Sequence, residues 1–277
     1  MKRSQIAAGN FTYKYFPFTD FLDSMERLGL RKIELWSAEP HLYFEDYNYA
    51  QMTEIARKIR NRNLEVCCVT PEQYLYPVNI ASLNPDTRKR SINYFKRAID
   101  VAAELEAPKV LVSSGQCPIG GDREECRKRM LESLAELAHN ACFKGTKIVF
   151  EPLPRKIDLI RRTEEVKTLL DEVGFYDGIG ALMDFDISLR AGDTAEKFIR
   201  TFGRDFIHVH LNDGKPGGHM IPGEGVLPVE QALKELQEFG YQGDISFEVT
   251  DESVLLEPEE AMKKSLRFLE KTGVLKD

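Results

Sequence analysis

Eight short apolar runs, each followed by a stretch with helical periodicity, repeat along this chain, and few architectures accommodate such a pattern. The runs cover 5–8, 32–36, 64–69, 107–114, 147–151, 179–184, 206–213 and 244–248. Helical stretches follow, the first starting near 19 or 20 and the others at 49–62, 86–105, 122–143, 163–173, 194–202, 229–239 and 258–271, with no low-complexity linker between units. Alternation of this kind predicts an α/β fold, a closed (β/α)8 TIM barrel, as one domain over residues 1–277. In such a barrel the loops that follow the carboxyl ends of the strands carry the site.

The strand ends carry the chemistry. The run from Phe206 to Asp213 alternates so that His208 and His210 share a face, and three other runs finish on an acid: Glu151, Asp184 and Glu248. A single strand-end acid usually caps the next helix or pairs on the surface. Four coincident ends in one parallel barrel bring Glu151, Asp184, His210 and Glu248 together at its mouth. Three carboxylates and one imidazole suit a hard or borderline divalent ion, with Mn2+ ahead of Mg2+ and Co2+ tolerated. A structural zinc would bring cysteines, and none stands at these strand ends. Nothing calls for an organic cofactor. Four protein ligands leave room for two adjacent substrate oxygens, which favours a polyol or hydroxy-ketone. A cation there acidifies the intervening C–H, and Glu151 and Glu248, far apart around the ring, can flank it as acid and base.

Charge narrows the partners. The net charge is -7 and no basic block stands apart from acids, which argues against nucleic acid. No apolar run is long enough to cross a bilayer and the amino terminus lacks an apolar signal region, so the expected setting is cytoplasmic, with no membrane partner. The five cysteines are read as reduced and buried, with adjacent Cys67 and Cys68 pointing to opposite faces of their strand.

Several motifs then carry a resemblance that covers nearly the whole chain: Ile33-Glu-Leu-Trp36 with Pro40-His41, Thr70-Pro-Glu72 with Tyr76-Pro-Val-Asn79, Glu151-Pro-Leu153, Met183-Asp184, His208-Val-His-Leu-Asn-Asp213, Ile221-Pro-Gly-Glu-Gly225 and Glu248. In this order they resemble the xylose-isomerase-like TIM-barrel family of sugar isomerases and epimerases, on the D-tagatose 3-epimerase branch with its fructoselysine 3-epimerases. The resemblance implies metal ligation by Glu151, Asp184, His210 and Glu248, and catalysis by Glu151 and Glu248. It implies substrate contacts from Glu34, Trp36, His41, Glu72 and His219, the last just ahead of a Pro-Gly-Glu-Gly loop that closes over the site. Glycines 217, 218, 223 and 225 would give that loop permissive backbone angles.

Two departures alter the expected substrate. Where the branch carries a sugar-binding glutamate this chain has Ile157, and where ketose epimerases carry a histidine it has Ile187. The metal set is intact but the polyol grip is not, so the expected substrate is a sugar bearing an apolar or bulky group. The implied activity is metal-dependent isomerisation of a ketose or ketose conjugate through an enediolate. A lyase on the same centre, such as the large subunit of a C-glycoside deglycosidase with a small partner subunit, or a dehydratase, is the alternative; an inactive sugar-binding barrel is a lesser one. A DNA-repair endonuclease of the superfamily needs a histidine-rich three-zinc cluster, which five histidines do not supply here. Family members are commonly dimers or tetramers, so a homo-oligomer is expected.

Overall fold

The computed structural model describes residues 1–73 and 77–275; Tyr76, which opens the motif ending at Asn79, lies outside them. Eight parallel strands close into a barrel in sequence order: β1 (Ile6–Gly9), β2 (Lys32–Ser37), β3 (Glu65–Pro71), β4 (Lys109–Ser113), β5 (Lys147–Glu151), β6 (Ile179–Asp184), β7 (Phe206–Leu211) and β8 (Asp244–Phe247). Closure is made by β1 on β8, with Ile6, Ala7 and Ala8 opposite Ile245, Ser246 and Phe247.

Around the barrel lie α1 (Phe18–Arg27), α2 (Tyr49–Arg60), α3 (Pro85–Glu104), α4 (Arg123–Phe143), α5 (Thr163–Val173), α6 (Phe185–Arg190), α7 (Ala195–Phe202), α8 (Val229–Glu238) and α9 (Pro258–Thr272). Their starts follow from cap chemistry. Asn84 accepts from the N–H groups of Asp86 and Thr87 with Pro85 as the first helical residue, Asp122 accepts from Glu125, and Thr194 from Lys197. The short α6 is not foreshadowed by periodicity. It starts because the Asp184 side chain accepts the Ile187 N–H, so this strand-end acid is also a helix cap. Among the described residues no helix is long and apolar enough to cross a membrane.

The sheet separates two apolar regions. Outward-facing strand residues such as Phe150 and Phe247 pack with Phe21, Phe95 and Phe198 from the helices, each burial worth about 1.5–3 kcal/mol. Inside the barrel a smaller cluster contains Ala7, Cys67, Cys68, Leu111, Val149 and Leu182. Both adjacent cysteines belong to it, against the expectation of opposite faces, because the β2–β3 register slips between Ile33 and Glu34 and the pairing passes over Cys67. All five cysteines are free, as read, but Cys142, near the end of α4, is exposed. Ile207 packs against this cluster, and buried charged and polar side chains, among them Glu34, Lys109, His208 and His210, occupy the interior beside it.

Candidate metal centre and cavity

Glu151 and Asp184 are the last residues of β5 and β6, His210 is the penultimate residue of β7, and Glu248 follows β8 with its N–H bonded to Leu211 O at 3.3 Å. One ligand atom from each lies within 4.8 Å of the others. His210 Nδ1 sits 3.0 Å from Glu151 Oε1, 2.9 Å from Glu248 Oε2 and 3.9 Å from Asp184 Oδ2. Four elements that are distant in sequence therefore meet as the strand ends predict.

Each member is held from behind. Asp184 Oδ2 accepts from Asn212 Nδ2 at 2.6 Å, and Asn212 Oδ1 in turn accepts the Asp186 N–H at 2.7 Å. His210 Nε2 donates to Glu34 Oε1 at 3.0 Å, which leaves Nδ1 facing the carboxylates. Glu34 also accepts from the Thr70 hydroxyl and, through Oε2, from His208 Nε2 at 2.9 Å. The Lys109 ammonium can only donate, so His208 Nδ1, 3.0 Å away, accepts from it. Lys109 also pairs with Asp244, whose other oxygen takes Lys32 Nζ at 2.6 Å. A continuous polar column thus runs from the foot of β2, β4 and β8 to the mouth.

Without a cation the cluster pushes its acids apart. Burial, only partly offset by the His210 bond, lifts the Glu151 carboxyl to about 7, and the charges of Glu248 and Asp184 add to the rise. Burial opposes ionisation of Glu248 too, but His210 and His219 outweigh it and hold its carboxyl well below the usual range. Burial likewise opposes charge on His210, yet Glu248 and Glu34 raise its pKa well above the ordinary value. His208 goes the other way, down to about 4, through burial and the neighbouring Lys109.

The donor set fits a divalent ion. Buried Glu248 Oε2 has no hydrogen-bond partner; it is near His210 Nδ1, but that nitrogen's bond goes to Glu151. An unbonded acceptor beside two further carboxylates is satisfied by a cation. Glu34, His208 and His210 also stand close enough to ligate. Their nitrogens and oxygens are already bonded to one another, and the Lys109 charge beside His208 repels a second ion.

Above the cluster opens a cavity of about 540 Å³ with Glu151 and Glu248 at its floor. Trp36, Glu72 and His219 line it, and Trp36 Nε1 donates to Glu72 Oε2 at 3.0 Å. Its remaining wall is largely apolar, with Phe11, Leu153, Pro154, Ile187 and Ala191, while Arg155, Asp186 and Arg190 add charge. Glu34 and His41 are placed otherwise than the motifs imply, for neither lines the cavity. Glu34 lies deeper, under His210, and His41 is clamped behind the wall between Asn10 Nδ2 at 2.8 Å and Phe16 O at 2.9 Å. A second cavity of about 340 Å³, at the other end of the barrel beside Lys32, Cys67 and Asp244, contains none of the candidate residues.

The loop from 214 to 227 is built on Asp213, the last residue of the run that holds His208 and His210. Its buried carboxylate accepts four backbone N–H groups, from Gly214, Gly223, Gly225 and Leu227, at 2.7–3.1 Å. Of the four loop glycines expected to supply permissive angles, only Gly223 has positive φ, and the left-handed positions fall on Lys215 and His219. Gly225 is needed for space: a Cβ there would lie 2.3 Å from Asp213 Oδ1 and 2.4 Å from the Gly214 carbonyl.

Known proteins share this barrel fold. Fructoselysine 3-epimerase of Shigella flexneri is 26% identical over 226 residues, 80% of this chain and 81% of the relative. The structure of D-psicose 3-epimerase with D-tagatose from Clostridium cellulolyticum H10 superposes with a TM-score of 0.78 at 19% identity, covering 96% of this chain and 99% of that one. The structure of IOLI protein with a binding zinc atom gives 0.80 at 18% identity, covering 97% of each chain. The model of the xylose isomerase-like TIM barrel family matches residues 22–272, and the chain belongs to that family.

Proposed function

We propose that this protein is a divalent-metal-dependent isomerase of the ketose 3-epimerase kind, acting on a ketose or ketose conjugate by proton transfer through an enediolate. The observation that carries the reading is the meeting of Glu151, Asp184, His210 and Glu248 at the floor of a cavity large enough for a sugar. The named activities of the fructoselysine and D-psicose 3-epimerases support it. Those four residues would hold the ion, with Mn2+ preferred for so oxygen-rich a set. When bound, the ion supplies electrostatic stabilisation for the negative charge that builds on the carbonyl and neighbouring hydroxyl oxygens.

Glu151 and Glu248 come from β5 and from the end of β8 and face the cavity floor from two sides. One carboxylate takes the proton from one face of the substrate carbon and the other returns a proton to the opposite face. In the reverse direction the roles exchange. Trp36 and Glu72 are the sugar contacts, with His219 beside them in the cavity wall, whereas Glu34 orients His210 and His41 braces the wall. The apolar side formed by Leu153, Pro154, Ile187 and Ala191 suits a substituent beyond the sugar, so a conjugate is preferred over a free ketohexose.

The test is solvent exchange: protein with Mn2+ and a panel of ketoses and their amine conjugates in D2O, read by NMR at the carbons beside the carbonyl. Deuterium should enter there and should vanish on chelation and in Glu248→Gln, with metal content checked by elemental analysis. No incorporation by metal-loaded protein across the panel would remove the epimerase reading. The same apolar wall would also admit the aglycone of a lyase substrate, and a released aglycone without exchange would select that second reading.

A further inference from the structure

His219 stands apart from the residues that the strand ends bring together. It sits in the β7–α8 loop in the left-handed region, φ +50°, where a side chain other than glycine is strained. The strain is maintained by specific bonds. Its carbonyl accepts the N–H groups of Thr250 and Asp251 at 3.0 and 3.3 Å, its neighbour Met220 pairs with Asp213, and Arg190 Nη2 donates to Gly217 O at 2.9 Å.

The conformation aims the imidazole into the acidic cluster. Nε2 lies 3.4 Å from Asp184 Oδ2 and 3.5 Å from Glu248 Oε2, and Nδ1 faces Asp186 Oδ2 at 3.6 Å. His210 has the same orientation with a closer outer contact: one ring nitrogen faces the cluster and the other is hydrogen-bonded to a carboxylate outside it, Glu34, at 3.0 Å, where His219 and Asp186 make only a charge contact. An outer carboxylate behind the far nitrogen is the usual companion of a metal-bound histidine, because it fixes the tautomer and raises the basicity of the near nitrogen. The spacing is also right. Donor atoms bonded to one cation at about 2.0–2.2 Å stand roughly 3–3.5 Å apart around it. A residue that served only as a sugar contact would have no need to face two ligand oxygens at once.

We propose that His219 is a fifth protein ligand of the metal, with Asp186 as the outer carboxylate that orients it. The inference rests on the four-residue metal site of the proposed function and adds to it. It makes the donor set two imidazoles and three carboxylates, which moves preference towards Zn2+ and Co2+ relative to Mg2+. It also leaves fewer positions for substrate oxygens, so the site holds the substrate through fewer metal contacts than a four-ligand centre does.

The test counts nitrogens directly. Pulsed EPR on Mn2+-loaded full-length protein, unlabelled and with 15N-histidine, should show two coordinated imidazoles in the wild type. His219→Gln and His210→Gln should each show one. Calorimetric titration with Zn2+ should find His219→Gln weakened at least about tenfold, with much less change for Mg2+. A single imidazole in the wild type, unchanged in His219→Gln, overturns the fifth ligand and leaves the four-residue site standing. Absence of any bound ion in the wild type overturns both.

Discussion

Asp213→Asn isolates the device that shapes the loop over the cavity. In the folded protein the Asp213 carboxylate is buried, with Oδ1 accepting from Gly214 and Leu227 and Oδ2 from Gly223 and Gly225. Asparagine keeps one accepting oxygen and places an NH2 group against two N–H donors. Hydrogen bonds to a charged acceptor are worth about 1.5–3 kcal/mol each, so losing two of them removes roughly 3–6 kcal/mol. The loop is a surface segment and can open without unfolding the barrel, so global stability will report only part of that loss. Local opening will report it more fully: about 4 kcal/mol corresponds to roughly a thousandfold faster exchange. Hydrogen exchange followed by mass spectrometry or NMR should therefore show the amides of Gly223, Gly225 and Leu227 exchanging some three orders of magnitude faster. Amides of β5 and β6 should change little. Exchange within threefold of wild type at all three amides would mean that the carboxylate does not hold the loop.

Three further outcomes follow from the same structure. Lys109→Met leaves His208 Nδ1 unbonded and Asp244 with Lys32 alone, and should cost about 3 kcal/mol in urea denaturation; a loss below about 1 kcal/mol would contradict the column. In metal-free protein the Glu151 carboxyl is raised from 4.5 to about 7, so it contributes stability below pH 4.5 that is lost as pH rises through 7. The loss is on the order of 3 kcal/mol, and the stability gap between Glu151→Gln and wild type should shift in the variant's favour between pH 5 and pH 8.5; parallel curves would refute this. Ile187→His puts a polar group on the apolar wall, and the kcat/KM preference for an alkylamine conjugate over the free ketose should fall about tenfold. An unchanged ratio would place the substituent elsewhere.

The residues that sequence could place are those whose position follows from strand ends. Glu151, Asp184, His210 and Glu248 are legible because a parallel barrel puts every carboxyl end at one mouth, whatever the detail between them. Periodicity gives a face but not a depth. Glu34 does face the interior, as the two-residue period requires, yet the stagger of the barrel sets it beneath His210 and away from the cavity. His41 and His219 lie in loops, where no period operates and position is decided by tertiary bonds. Sequence does not reveal α6, because six residues are too few to show a stripe and its one local signal, Asp184 three residues before Ile187, reads equally as a ligand. The glycine-rich loop misled in a different way. Composition reads glycine as conformational freedom, whereas Gly225 is required by the close approach of Asp213 and the Gly214 carbonyl.

The polar half of the barrel interior has a cost that explains its form. Glu34, Glu151, Asp184, Asp186 and Glu248 crowd one end, and each buried charge there must be matched by a partner or by a cation. Partners are present for all but the centre: Arg190 on Asp186, Asn212 and the Ile187 N–H on Asp184, and Thr70, His208 and His210 on Glu34. What remains is Glu248 Oε2, faced by the His210 and His219 rings but without a hydrogen bond, and a Glu151 carboxyl pushed towards protonation. An ion that enters this centre relieves both at once, so its binding energy is also folding energy, growing as RT ln(1 + [M]/Kd) once the ion exceeds its dissociation constant. The charged column beneath is the part of the frame that keeps His210 turned towards that centre.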